Sequence, residues 1–211
     1  MKILAFDTAF AAVSACVARD GEVLAWRRVE MARGHAEALL PMIGEVLAEA
    51  GLAVPDMTRI ATTLGPGHFT GLRAGLAAAQ GLGLATGAAL VGITSFAAVA
   101  GGLEPVRAGE RRLIALDSKR AEAFAMLDDE APFAASPEGF APAGDSFLVA
   151  GDLAAVFADA LAKAGKRARI AAGPALPDAR TIARLAATAE PVGRLVPLYI
   201  HPPATTAPRR P

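Results

Sequence analysis

A strand, a glycine–proline turn and a helix start follow one another between residues 60 and 73, and this order strongly constrains the fold. The apolar run 60–64 predicts a strand. Gly65, Pro66 and Gly67 enforce a tight turn, since glycine allows positive φ and proline fixes φ. Thr70 is predicted to cap the helix that follows. Such a corner is either a place of close backbone packing or an anion site, and the pattern alone leaves both interpretations open.

The remaining pattern predicts an α/β protein in which strands, helix, strand and helix are followed by a shorter echo of the same order. Asp20 and Gly21 indicate a two-residue hairpin, and residues 128–145 are predicted to form a loop. A hinge at 104–110 separates a unit at 1–103 from a reduced unit at 104–211 with a flexible tail. Strands are predicted at 2–9, 13–19, 22–29, 59–64, near Leu90, 112–117, 121–127, 147–150 and 168–172, and helices at 34–50, 70–86, 96–101, 152–164 (capped by Asp152) and 178–189.

The net charge indicates that the isolated chain does not bind nucleic acid tightly. Lysine plus arginine and aspartate plus glutamate both number 21, so the net charge is zero, whereas phosphate-binding proteins are usually basic. The one basic cluster singled out is Arg209–Arg210, in a proline-rich terminus interpreted as disordered. A single cysteine, Cys16, excludes an internal disulfide and fits a reducing compartment.

The uncharged stretch 74–103 is long enough to span a bilayer, but it holds seven glycines and several polar residues. We therefore interpret it as a helix, a turn and a central strand of a water-soluble core. The sequence shows no signal peptide.

Two helices carry more small and apolar surface than one sheet contact needs. Gly71, Gly75, Ala79 and Gly83 recur every four residues and form a small-residue stripe. Glycine costs about 1 kcal/mol per helical site relative to alanine, so this stripe implies a compensating close contact. That contact is either the chain's own sheet or a helix of another subunit.

Residues 65–73, Gly-Pro-Gly-His-Phe-Thr-Gly-Leu-Arg, resemble the signature of the bacterial TsaB (YeaZ-like) family, where serine usually stands in place of His68. Four further segments are similar to family motifs in the same order. They are 3–9 (the opening strand), 35–41 (His-Ser-Glu-x-Leu-Leu-Pro, with Ala36 for serine), 115–120 (an Asp-Ala-Arg turn) and 197–200 (Pro-x-Tyr).

The resemblance implies the actin-like ATPase superfamily fold (ASKHA, ribonuclease H-like) with a truncated C-terminal half. It also implies a non-catalytic, cytoplasmic subunit with no cofactor of its own. This subunit would bind and activate a TsaD-type catalytic subunit that threonylcarbamoylates adenosine 37 of ANN-decoding tRNAs. ATP would be used by a TsaE-type ATPase and threonylcarbamoyl-AMP by the catalytic subunit. A homodimer is a second expected state, tRNA is expected only within the complex, and no membrane is involved.

The resemblance also decides between the two interpretations of the helices in favour of a dimer and partner interface. The interface residues predicted in this way are His35, Leu39, Leu40, Ile43, Val46, Leu47, Leu72, Gly75, Leu76, Ala79 and Gly83.

A phosphate site is predicted to be vestigial. In actin-like phosphotransferases an aspartate after the first strand, followed by glycine and a hydroxyl residue, holds the metal–phosphate group. Here Ala9 follows Asp7 and Thr8, so the set is incomplete. The vestigial set comprises Asp7, Thr8, Gly65, Gly67 and His68.

The histidines His35, His68 and His201 are too widely spaced to predict a metal pair on one helix. The alternative function is a small actin-fold phosphotransferase or ATPase that uses Asp7 and the corner 65–67. A peptidase is remote, because no nucleophile–base pair is visible.

Overall fold

The computed structural model describes residues 1–200, so His201 and the Arg209–Arg210 terminus lie outside the described residues. The first half of the chain builds a five-stranded sheet in the order β3-β2-β1-β4-β5. β1 to β3 are antiparallel, and β4 and β5 run parallel to β1. The strands are β1 (Lys2–Phe10), β2 (Ala12–Arg19), β3 (Glu22–Glu30), β4 (Arg59–Gly65) and β5 (Ala89–Thr94).

A second sheet repeats this topology in the order β8-β7-β6-β9-β10. β6 to β8 are antiparallel, whereas β9 and β10 continue parallel to β6. Its strands are β6 (Arg111–Leu116), β7 (Ala123–Leu127), β8 (Phe133–Ala135), β9 (Ser146–Ala150) and β10 (Arg167–Ile170). Each strand of the second sheet thus has a counterpart in the first, which confirms the two related halves.

Among the described residues five α-helices cover the sheets, and their distribution shows what the second half lacks. They are α1 (His35–Glu49), α2 (Phe69–Thr86), α3 (Ser95–Ala100), α4 (Ala154–Lys163) and α5 (Ala179–Ala186). α2 connects β4 to β5 and α4 connects β9 to β10. α1 connects β3 to β4, but the equivalent connection, residues 136–145, contains no helix. The C-terminal half is therefore reduced by one helix, the counterpart of α1.

The first sheet is covered on both faces. α1 and α2 pack on one face, where Phe6, Leu39 and Leu72 join a large apolar cluster. α5 packs on the other face, where Ile182 and Ala183 contact a second cluster that includes Ile3 and Cys16. The division predicted at 103/104 stays a prediction: the strands follow it, whereas α5 crosses it to pack on the first sheet.

Cys16 is buried beneath α5, and its burial raises the pKa of its thiol to about 12. Within residues 1–200 no helix is long and apolar enough to cross a membrane. The uncharged stretch 74–103 instead forms most of α2, β5 and α3, as predicted.

Several local expectations need correction. α2 begins at Phe69 with His68 as its N-cap residue and no side-chain cap, so Thr70 does not cap it. Asp152 does not cap α4, because its carboxylate accepts the Asp117 N–H at 2.9 Å instead. The predicted loop 128–145 contains the three-residue strand β8. The Asp20–Gly21 hairpin is confirmed. The Asp178 carboxylate, which was not predicted as a cap, accepts the Arg180 N–H at the start of α5.

The small-residue stripe of α2 faces the chain's own sheet, so its interpretation as a subunit surface is wrong. A Cβ at Gly71 would collide with the Thr8 carbonyl, and a Cβ at Gly75 would lie 2.6 Å from Thr8 Oγ1. At Gly83 it would lie 2.6 Å from a Leu90 methyl group. The glycines let α2 lie directly on β1, β4 and β5, which is the compensating contact that the sequence implied.

Two glycines of α2 should therefore respond oppositely to alanine. At Gly75 the added methyl group overpacks the sheet contact and should lower the free energy of unfolding by about 1–3 kcal/mol. Gly81 has open space around its missing Cβ, so Gly81→Ala should stabilise the helix by up to about 1 kcal/mol. Chemical denaturation of both variants and wild type measures this. Equal effects at the two sites would contradict the assigned orientation of α2.

Candidate functional site at the glycine corner and the N-terminal helices

Asp7 is buried at the carboxyl end of β1, and its hydrogen bonds are made within the chain. Its Oδ1 accepts the Thr63 hydroxyl at 2.5 Å and the Ala9 N–H at 3.2 Å. Burial raises the pKa of Asp7 to about 6, against the opposing effects of these hydrogen bonds and of Arg28. The neighbouring Thr8 hydroxyl donates to the Gly71 carbonyl at 2.7 Å. Both side chains thus hold β1 to β4 and α2.

The glycine corner is close-packed against the end of β1. The Gly65–Pro66 peptide is cis, and a Cβ at Gly67 would lie 2.8 Å from the Ala9 carbonyl oxygen. That oxygen accepts the His68 N–H at 2.7 Å. A carbonyl oxygen carries partial negative charge, so its presence here disfavours an anion. Of the two interpretations of the corner, the geometry favours close packing.

Two histidines tie the corner to its surroundings. His68 Nε2 donates to the Asp117 carbonyl at 3.2 Å and so links the first half to the end of β6. Its ring meets Phe10 edge-on, and burial lowers the pKa of the imidazole. His35 Nε2 donates to the Phe10 carbonyl at 2.6 Å, which fixes the start of α1. His35, predicted at the partner interface, thus also has a contact inside the chain.

Three sequence motifs meet beside the corner. Phe69 and Arg73 come from the nonapeptide, and Tyr199 comes from the Pro-x-Tyr segment. Arg73 lies over the Phe69 ring at 3.8 Å, its Nε donates to the Tyr199 hydroxyl at 3.0 Å, and the two aromatic rings stack. A cavity of about 250 Å³ opens here, also lined by Ser118 and Arg120 of the third motif, the segment 115–120. The chain thus joins its C-terminal segment to α2 through one arginine.

Most of the predicted interface residues are buried in the chain's own core. On α1 and α2 the buried side chains are Leu39, Ile43, Val46, Leu47, Leu72, Leu76 and Ala79. They cannot form a docking surface, because they already pack on the first sheet. Leu40 is the exception, with 58% of its surface exposed.

The sides of α1 and α2 that face away from the first sheet form an outer helix surface, which the sequence analysis missed. It consists of uncharged exposed residues, Ala36, Leu40, Gly44 and Ala48 of α1 and Ala77, Gly81 and Leu84 of α2, and the exposed Glu37 and Arg73 border it near the helix N-termini. Leu84 is 90% exposed. The residues of this surface recur every four positions on α1 and after four and then three positions on α2, which places them on one side of each helix. This spacing would have predicted the surface if the buried stripes had first been assigned to the sheet.

Comparisons with known proteins place the chain in a family. The family model of the tRNA N6-adenosine threonylcarbamoyltransferase (TsaD) matches residues 29–134, half of the chain. The uncharacterized protein Rv3421c of Mycobacterium tuberculosis is 35% identical over 207 residues, which cover 95% of this chain and 92% of that protein. The solved structure of YeaZ from Pseudomonas aeruginosa superposes with a TM-score of 0.73 at 26% identity, covering 94% of this chain and 99% of that one.

A named relative completes the comparison. The tRNA threonylcarbamoyladenosine biosynthesis protein TsaB of Escherichia coli is 35% identical over 124 residues, or 59% of this chain. The chain belongs to the TsaB (YeaZ-like) family. Its fold is the actin-like α/β fold of two related halves. The match spans about half, 53%, of the length of E. coli TsaB.

Metal-ligating side chains are scattered in this TsaB-family chain. Among residues 1–200 no group of three histidine, cysteine, aspartate or glutamate side chains is arranged to hold a metal ion. Asp7, the residue that the phosphotransferase alternative requires, is instead surrounded by Thr63, the Ala9 N–H and, more distantly, Arg28.

Asp7→Asn should change how stability depends on pH. A folded pKa of about 6 against 3.8 unfolded means that the native state binds the extra proton between these values. Stability from this group therefore falls as pH rises from 4 to 6, by about 3 kcal/mol at 1.36 kcal/mol per pKa unit. The stability of Asp7→Asn relative to wild type should rise by up to that amount between pH 4 and 7. Urea unfolding across this range measures it.

Asp56→Asn provides a control of opposite sign. The Ala53 N–H and Lys2 hold the pKa of Asp56 below its usual value. Asp56 therefore stabilises the native state above the unfolded pKa, and that contribution is lost as pH falls. Its asparagine variant should lose stability relative to wild type as pH rises. A pH-independent difference for Asp7→Asn would show that the buried carboxyl has an ordinary pKa.

Proposed function

We propose that this chain is a non-catalytic subunit required for threonylcarbamoylation of adenosine 37 in ANN-decoding tRNAs. In this proposal it binds and activates a TsaD-type catalytic subunit through α1 and α2. The catalytic subunit uses threonylcarbamoyl-AMP, and a TsaE-type ATPase uses ATP. Family membership supports the biosynthetic role, since the E. coli relative is named for tRNA threonylcarbamoyladenosine biosynthesis.

The observation that carries the proposal is the outer helix surface. α1 and α2 contact each other, and both expose uncharged side chains. Gly44 and Gly81 each have open space around the missing Cβ. Glycine destabilises a helix, and no contact within residues 1–200 compensates at these two positions. Small residues allow another helix to approach closely, and Leu40 and Leu84 supply apolar area to bury against it.

The geometry of the glycine corner supports a non-catalytic role over the phosphotransferase alternative. The Ala9 carbonyl takes the place that a phosphate-binding loop leaves open, and the His68 N–H is already bound to it. The Thr8 hydroxyl is directed to the Gly71 carbonyl and away from any ligand. The residues that would orient a nucleotide are thus used to hold α2 on the sheet.

Leu84→Glu should weaken binding to the TsaD-type subunit by at least tenfold. Burial of the glutamate carboxylate in an apolar helix contact costs several kcal/mol, and 1.4 kcal/mol already corresponds to tenfold. Val156→Glu is the matched control, because Val156 is 47% exposed on α4, in the second half. Isothermal titration with the purified partner, together with reconstituted modification of tRNA, measures both. Equal binding by the two variants would sink the proposed docking surface.

The isolated chain should release no phosphate from ATP above background. The expected result follows from the closed corner and from the internal hydrogen bonds of Asp7 and Thr8. A phosphate-release assay with magnesium present tests it, with Asp7→Ala as the control variant. Turnover in wild type that disappears in Asp7→Ala would favour the small phosphotransferase instead.

A further inference from the structure

A basic edge lies along the second sheet, in the C-terminal half of the chain. The helices of the proposed docking surface, α1 and α2, belong to the N-terminal half. Four cations fall within seven residues, between Lys163 at the end of α4 and Arg169 in β10. This run was not singled out from the sequence, and it shows that the terminal Arg209–Arg210 pair is not the only basic cluster. Arg107, in the loop before β6, lies at the same edge, since it lines one cavity together with Arg167.

Two of the acidic groups of this edge, Glu104 and Glu110, are paired with one arginine. Arg169 Nε and Nη2 donate to the two carboxylate oxygens of Glu110 at 2.7 and 2.8 Å, and Arg169 Nη1 lies 2.7 Å from Glu104. These contacts hold the pKa of Glu110 at about 2. The edge has a net charge of +1, from five cations and four carboxylates: Arg107, Lys163, Lys166, Arg167, Arg169, Glu104, Glu110, Asp145 and Asp159.

The guanidinium groups of Arg107 and Arg167 make no ion pair with any residue in 1–200. Both line a cavity of about 360 Å³ that also presents Ser146. Lys166 Nζ donates to the Gly144 carbonyl at 2.7 Å, in the loop before β9. β10 is the last strand of its sheet, so it adds unpaired backbone N–H groups along the same rim. Forked guanidinium donors with a hydroxyl and free N–H groups match the oxygens of a phosphodiester.

We propose that this basic edge contacts the phosphate backbone of RNA, namely of the tRNA that the complex modifies. The inference rests on the proposed function for the identity of the RNA. The contact is sequence-independent, because it consists of charges and hydrogen-bond donors without an exposed stacking ring. Because the chain as a whole has no net charge, the edge of the isolated chain binds RNA weakly. In the assembled complex it adds to the affinity for tRNA that the other subunits supply. In the proposed complex the partner binds α1 and α2, which cover the first sheet, so the edge of the second sheet remains free to contact RNA.

The test compares two double variants of equal charge in the full-length chain. Arg107→Gln/Arg167→Gln removes the two unpaired guanidinium groups. Arg33→Gln/Arg194→Gln removes two exposed arginines outside the edge. Filter binding of an unmodified tRNA transcript is measured from 50 to 200 mM salt, with thermal melting as a check of folding. For two lost phosphate contacts the slope of log K against log salt should become shallower by about 1.4–1.8.

The expected result is a shallower slope and at least a threefold loss of affinity at 50 mM salt for the edge variant only. Equal losses in both variants would show a general charge effect and overturn the proposal, as would no loss in either. Titration with inorganic phosphate distinguishes a small-anion site: saturable phosphate binding lost in the edge variant, with tRNA binding unchanged, would also overturn it.

A second arm separates this inference from the proposed function. In the reconstituted complex, the edge variant should bind the TsaD-type subunit like wild type but raise the KM for tRNA with little change in kcat. If the chain does not activate that subunit at all, the proposed function fails while the binding arm still reports on RNA. If activation occurs and the KM is unchanged, the RNA contact fails while the proposed function stands.

Discussion

The close approach of α2 to the end of β1 is the contact on which the rest of the structure depends. Thr8 donates its hydroxyl to the Gly71 carbonyl, and the missing side chains of Gly71 and Gly75 make room for that bond. Because helix and strand lie so close, the Ala9 carbonyl reaches the glycine corner and accepts the His68 N–H. His68 then reaches the second half through the Asp117 carbonyl. One backbone contact thus fixes the corner, closes it and links the two halves.

The duplicated topology, with one helix missing from the second half, gives the two halves different surfaces. Both have the same five-strand order, but only the first carries a helix between its third and fourth strands. That additional helix, α1, pairs with α2 and creates the outer helix surface. The second half has a short connection at 136–145 and, as far as residue 200, no equivalent helix pair. In the proposed function, the half that kept α1 binds the partner, and the reduced half exposes its sheet edge to the nucleic acid.

Sequence patterns predicted the order of elements well, because strand alternation and the Asp20–Gly21 hairpin act locally. Most of the failures required knowledge of distant neighbours. α2 is small or apolar on more than one side, so periodicity could not say which side meets β1. Asp152 has the right place for a helix cap, but its carboxylate binds the N–H of Asp117, 35 residues earlier. The three residues of β8 are too few to show alternation, and only pairing with β7 makes them a strand.

The position of α5 has a consequence for how the chain is made. The face of the first sheet that carries Ile3, Cys16 and Val91 is covered by α5, which ends at residue 186 of 211. During synthesis this apolar face is complete once β5 has emerged, yet its cover is still about ninety residues away. A nascent chain therefore carries an uncovered hydrophobic sheet while these residues are added, the kind of surface that chaperones bind. A chain that ended before α5 would leave this face of the first sheet permanently exposed. This would hold even if the glycine corner and the helices α1 and α2 formed normally.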